Sequence, residues 1–69
     1  MKDFGRFLRS ARNAKGFTQQ QMADKLGVSL RLYQTYEQGK NTDTFDRLVK
    51  MADILEVSTD YLLGRSEDR

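Results

Sequence analysis

The chain has 69 residues, 38% of them hydrophobic and 32% charged, which is room for one small domain and no second. It contains no cysteine and no histidine, which removes disulfides, thiol nucleophiles, Cys/His metal centres and imidazole acid–base chemistry together. The net charge of +2 is unevenly placed: residues 1–41 carry eight Lys/Arg against three Asp/Glu, or +5, and residues 42–69 carry four against seven, or −3.

In chain order, the first helix is expected at about residues 3–15. Phe4, Phe7, Leu8 and Ala11 follow the i, i+3, i+4, i+7 spacing of an amphipathic stripe, in which Phe7 either thickens the core, the preferred reading, or forms part of an exposed patch. Asp3 is placed to cap its start, and Gly16 ends it with Lys15 near the C-terminal dipole. A second helix follows at about 18–26. Thr18 and Gln21 have the spacing of a capping box, and Phe17 can staple onto Met22. Met22, Ala23 and Leu26 then share one face, and Gly27 supplies the left-handed stop.

Ser29 can cap a third helix at about 29–38, on which Tyr33 and Tyr36 share the inward face and Val28 fills the corner before it. Ala23 is small where the second and third helices come closest. Two short helices broken by a tight turn make a helix-turn-helix, whose usual job is to lay its second helix in the DNA major groove. A polar loop leads to a fourth helix at about 44–55, with Phe45, Leu48, Val49, Ala52 and Leu55 inward and Met51 at the edge. Ser58 caps a fifth helix at about 59–63, with Asp60 in its first turn. The expected architecture is all-α, a compact five-helix domain over 1–64 with a charged, frayed tail at 65–69.

The run 17–29 (FTQQQMADKLGVS), Tyr36-Glu-Gln-Gly-Lys, Phe45-Asp-Arg-Leu-Val-Lys-Met-Ala and Val57-Ser-Thr-Asp-Tyr-Leu-Leu-Gly together resemble the phage-repressor/Cro-type helix-turn-helix family, often called Xre-like. The likeness covers about 4–64. It implies a transcriptional regulator, most simply a repressor, that reads double-stranded DNA with helix 29–38.

With Tyr33 and Tyr36 inward, Leu30, Arg31, Gln34 and Thr35 form the outward stripe and are the candidate base readers. Arg31 can meet guanine O6 and N7 with its fork, Gln34 can pair with adenine or bind phosphate, and Thr35 can touch a thymine methyl or a polar edge. Leu30 offers only an apolar contact, and the family often has polar residues in the places of Leu30 and Leu32. Gln19 opens the second helix, where its amide and the free N–H groups can hold a phosphate oxygen; the resemblance implies the same role. Ser29, Lys40 and Asn41 are the next phosphate candidates, followed by Arg9 and Lys15. The resemblance also implies a structural Arg12–Glu37 salt bridge beneath the DNA surface.

A homodimer on a palindromic operator is expected, with the loop after the third helix and Leu62 or Leu63 at its surface. The runner-up is a protein-interaction module of the same fold, anti-repressor or antitoxin-like, acting through Leu30 and Leu32. The chain has no phosphate-cradling glycine loop, paired histidines or nucleophile elbow, and its carboxylates are dispersed. An enzyme, a metal, a cofactor and a small-molecule ligand are therefore not expected. No apolar run approaches the roughly 20 residues that cross a bilayer, and the start lacks a signal-peptide core. A soluble, cytoplasmic, nucleoid-associated protein is the expectation.

Overall fold

The computed structural model describes residues 3–40 and 45–65. It holds five helices: α1 Phe4–Lys15, α2 Gln19–Leu26, α3 Leu30–Glu37, α4 Phe45–Leu55 and α5 Thr59–Leu62. The described residues include no strand. No helix among them is long and apolar enough to cross a membrane.

Local chemistry sets the helix ends. Thr18 Oγ1 accepts from the Gln21 N–H while Gln21 Oε1 accepts from the Thr18 N–H, a complete capping box at the head of α2. Ser29 caps α3 by accepting from the Leu32 N–H, and Ser58 caps α5 by accepting from the Tyr61 N–H. Thr18 and Ser29 thus stand just outside their helices rather than within them. Gly27 closes α2 at φ +75°, a conformation that costs a Cβ-bearing residue.

Asp3 departs from expectation. Its side chain makes no cap hydrogen bond and instead lies 3.7 Å from Arg6 Nη2, one turn along.

The core gathers Phe4, Leu8 and Ala11 of α1, Met22, Ala23 and Leu26 of α2, Tyr33 and Tyr36 of α3, Leu48, Met51, Ala52 and Leu55 of α4, and Tyr61 and Leu62 of α5. The inward face of α4 differs from the expected one. Met51 is fully buried at its centre, Val49 is half-buried, and Phe45 is 72% exposed. Leu48, Met51, Ala52 and Leu55 themselves have i, i+3, i+4, i+7 spacing, and the first turn, carrying Phe45, overhangs the core edge.

Phe7 packs half-buried against the core, edge-on to Tyr61 at 5.3 Å between ring centroids. Of the adjacent leucines on the last turn, Leu62 is buried and Leu63 only partly so. The Arg65 N–H still donates to the Asp60 carbonyl at 2.8 Å. The expected tail beyond it, 66–69, lies outside the described residues.

Contact between α1 and α3 is close because residue 5 has no side chain. A Cβ built on Gly5 would stand 2.2 Å from the Glu37 carbonyl oxygen. The axis of α1 is thereby set directly against the end of α3.

Candidate nucleic-acid interface

The Glu37 carboxylate lies at the joint between α1, α2 and α3. The residue is only 4% exposed, and an ionised carboxylate so placed needs donors around it. Arg12 supplies two, Nε to Oε2 at 2.6 Å and Nη2 to Oε1 at 3.2 Å. Tyr33 donates its hydroxyl to Oε2 at 2.5 Å, Gln19 its amide to Oε1 at 3.1 Å, and Arg9 its Nε to Oε1 at 3.4 Å. Arg12 also donates Nη1 to the Phe17 carbonyl at 2.8 Å, tying the group to the link between α1 and α2.

Titration follows from these contacts. Burial pushes the Glu37 carboxyl up, but the hydrogen bonds from Arg12, Tyr33 and Gln19 outweigh it and hold the group below the ordinary carboxylate range. The bond to Glu37 raises Arg12 further, so it stays charged. Burial, then the carboxylate beside it, pushes the Tyr33 hydroxyl well above its usual range.

Tyr33 and Arg9 were not foreseen as members of this cluster. A tyrosine rather than an aliphatic residue one turn before Glu37 was an available signal, since a buried hydroxyl needs a partner. Arg9 stands one turn before Arg12 and reaches the same carboxylate. Arg47 of α4 likewise donates to the Tyr36 hydroxyl at 2.9 Å.

The outward stripe of α3 is mixed. Arg31 is exposed, and no described residue pairs with it. Leu30 is half-buried, and Leu32 packs partly against the core. The Thr35 hydroxyl donates to the Leu32 carbonyl at 2.6 Å, one turn back, and the residue is half-buried. Gln34 donates its amide to Gln19 Oε1 at 3.2 Å, so α2 and α3 are joined by their amides at the rim.

Ser29 spends an oxygen lone pair on its cap and keeps its O–H. Lys40 is exposed just past α3. Asn41 lies outside the described residues. Lys15 pairs with the exposed Glu56 across the α4–α5 link, and this pairing draws the Glu56 carboxyl down.

Gln19 and Gln34 therefore meet where α2 and α3 join, Ser29 and Arg31 stand at the cap and in the first turn of α3, and the Arg12–Glu37 pair is tied to the same joint through Gln19. A capped pair of short helices joined at a left-handed glycine, with the second helix presenting an exposed arginine and an amide, is the arrangement of a helix-turn-helix domain. A family model described as a helix-turn-helix domain matches residues 3–63, and the chain belongs to that family.

Among similar proteins, the cryptic phage CTXphi transcriptional repressor RstR of Vibrio cholerae is 50% identical over 58 residues, covering 84% of this chain and 52% of RstR. The SPbeta prophage-derived HTH-type transcriptional regulator YonR of Bacillus subtilis is 47% identical over 60 residues, covering 87% of this chain and 56% of its own length. The HTH-type transcriptional regulator ImmR of Bacillus subtilis is 38% identical over 63 residues, 91% of this chain and 50% of ImmR. The chain spans about half the length of these relatives.

Proposed function

We propose that the chain is a sequence-specific double-stranded DNA-binding domain of a transcriptional repressor, reading the major groove with α3. The observation that carries this reading is the face itself: an exposed Arg31 beside the half-exposed Gln34, on a helix aimed by the Arg12–Glu37 pair. RstR, similar over most of this chain, is named a transcriptional repressor.

Arg31 and Gln34 read base edges, with Leu30 and Thr35 making the apolar and lesser contacts. Gln19, Ser29, Lys40 and Asn41 hold phosphates along the rim. Because Gln19 already donates one amide hydrogen to Glu37, its second hydrogen and the N–H groups at the head of α2 are what remain for a phosphate oxygen. Leu32 packs partly against the core and Leu30 is half-buried, which reduces the apolar surface that a protein-interaction role through these two residues would use.

The longest axis of the fold is 28 Å, shorter than the roughly 34–36 Å that separates the centres of adjacent major-groove half-sites. One copy thus covers one half-site, and a homodimer on a palindromic operator supplies the second. A cytoplasmic, nucleoid-associated regulator with no catalytic role follows from this reading.

The test is fluorescence anisotropy on a random-sequence duplex across a salt series, followed by selection of preferred duplexes. Binding that weakens steeply with salt, and a selected duplex whose advantage disappears in Arg31→Ala, supports the proposal. No binding at low salt by the folded protein overturns it.

A further inference from the structure

Glu37, Gln19 and Gln34 form a chain of hydrogen bonds whose polarity runs one way. An ionised carboxylate is an acceptor only. Glu37 therefore draws the NH2 of Gln19 toward it, at 3.1 Å. That turns Gln19 Oε1 toward α3, where it accepts from the NH2 of Gln34 at 3.2 Å.

A flipped Gln34 would set two amide oxygens against each other. Flipping both amides would set Gln19 Oε1 against the buried carboxylate. Neither alternative keeps the bonds, so the buried charge removes the usual two-fold freedom of a surface glutamine. Gln34 is left with its oxygen turned away from Gln19 and one amide hydrogen uncommitted.

Adenine presents N6–H, a donor, beside N7, an acceptor, in the major groove; guanine presents two acceptors, O6 and N7. An amide that offers an oxygen and one N–H matches the first edge and opposes the second. We infer that Glu37, acting through Gln19, fixes the Gln34 amide so that Gln34 selects adenine over guanine at one position of each half-site. Glu37 and Gln19 are positioning residues in this scheme, and Gln34 alone touches the base. The inference rests on the DNA-binding reading above, and it gives Gln19 a part in specificity besides its contact with phosphate.

Selection from a random duplex pool by the 69-residue chain, by Gln34→Ala and by Gln19→Ala tests it, with melting temperatures to verify folding. The wild type should select adenine at one position per half-site, and Gln34→Ala should flatten that position alone. Gln19→Ala frees the Gln34 amide to turn its NH2 outward, so the adenine-over-guanine ratio there should fall roughly tenfold, the size of one lost bidentate match. Other positions should keep their preferences. Placing purine, which lacks the 6-amino group, at that position should cost the wild type a similar factor and leave Gln34→Ala unaffected.

The inference is overturned if Gln34→Ala flattens no position or a guanine position. It is equally overturned if Gln19→Ala weakens all duplexes alike with the adenine-over-guanine ratio intact. Those failures occur on duplexes that the protein does bind. Absence of all DNA binding is a different result, which removes the functional reading and this inference with it.

Discussion

Arg12 Nε stands 2.6 Å from Glu37 Oε2, with the Arg12 side chain 12% and the Glu37 side chain 1% exposed. The pair joins α1 to α3 across 25 residues of sequence. Removing one partner of a buried pair strands the other, at a cost of roughly 3–5 kcal/mol. Glu37→Ala should therefore lower stability by about that much, read as a large fall in melting temperature. Glu37→Ala with a melting temperature close to wild type would show the pair to be dispensable.

The same carboxylate gives the fold an acid limit. Its titration in the folded state lies below the ordinary 4.5, so the unfolded chain binds a proton first as pH falls. Stability from this group is complete above about 4.5 and is lost as pH drops through the lower folded value. Arg12, Arg9 and Tyr33 are the charged and titratable groups around it. In Glu37→Gln this source of pH dependence is gone, so the stability gap between wild type and variant should narrow from neutral pH to pH about 3. Urea denaturation at several pH values measures it, and a gap that widens on acidification would contradict it.

Gly5→Ala offers a test by sign. In an open helical position alanine gains roughly 0.5–1 kcal/mol over glycine. Here the new Cβ would meet backbone, 2.2 Å from the Glu37 oxygen and 2.7 Å from its carbon. Overpacking of this kind costs roughly 1–3 kcal/mol, so the variant should be less stable than wild type in thermal melting.

On α4, Met51 and Phe45 should respond oppositely to their places in the sequence pattern. Met51→Ala opens a cavity in the core and should cost about 2–5 kcal/mol. Phe45→Ser changes a residue that is 72% exposed and should stay within about 0.5 kcal/mol of wild type. Denaturation midpoints of the two variants separate this arrangement from the stripe expected from sequence.

Arg31 and Lys40 should divide by sequence dependence. Arg31→Ala should cost about 1–3 kcal/mol on a preferred duplex and little on others. Lys40→Ala should weaken all duplexes alike and reduce the slope of log K against log salt by about 0.9. A salt series on preferred and scrambled duplexes reads both effects, and equal losses on both duplexes for Arg31→Ala would remove it from base reading.

Apart from the cap expected of Asp3, which does not form, the caps were legible because they are local. Thr18 with Gln21, Ser29 and Ser58 each meet an N–H within three residues, and short spacing is enough to foresee that. The turn of α4 about its axis was not legible. Phe45 and Met51 both satisfy a helical period, and which one is buried depends on where the other helices end. The polar joint was legible only as far as the resemblance carried it. That Tyr33, Arg9 and Gln19 converge on the Glu37 carboxylate depends on the packing of α1 against α3, which the spacing of residues along one helix does not contain.

Gly5 also bears on how such a protein can change its target. With α1 seated backbone to backbone on the end of α3, the aim of the reading helix is decided on its inner side, by residues that never meet DNA in the proposed complex. On the outer side the side chains differ in their freedom: Gln34 is tied to Gln19, and Thr35 to the Leu32 carbonyl. Arg31, and to a lesser degree the half-buried Leu30, carry no such ties. Retargeting by small steps is therefore expected to begin at these two positions, like changing the bits of a key whose blade stays the same.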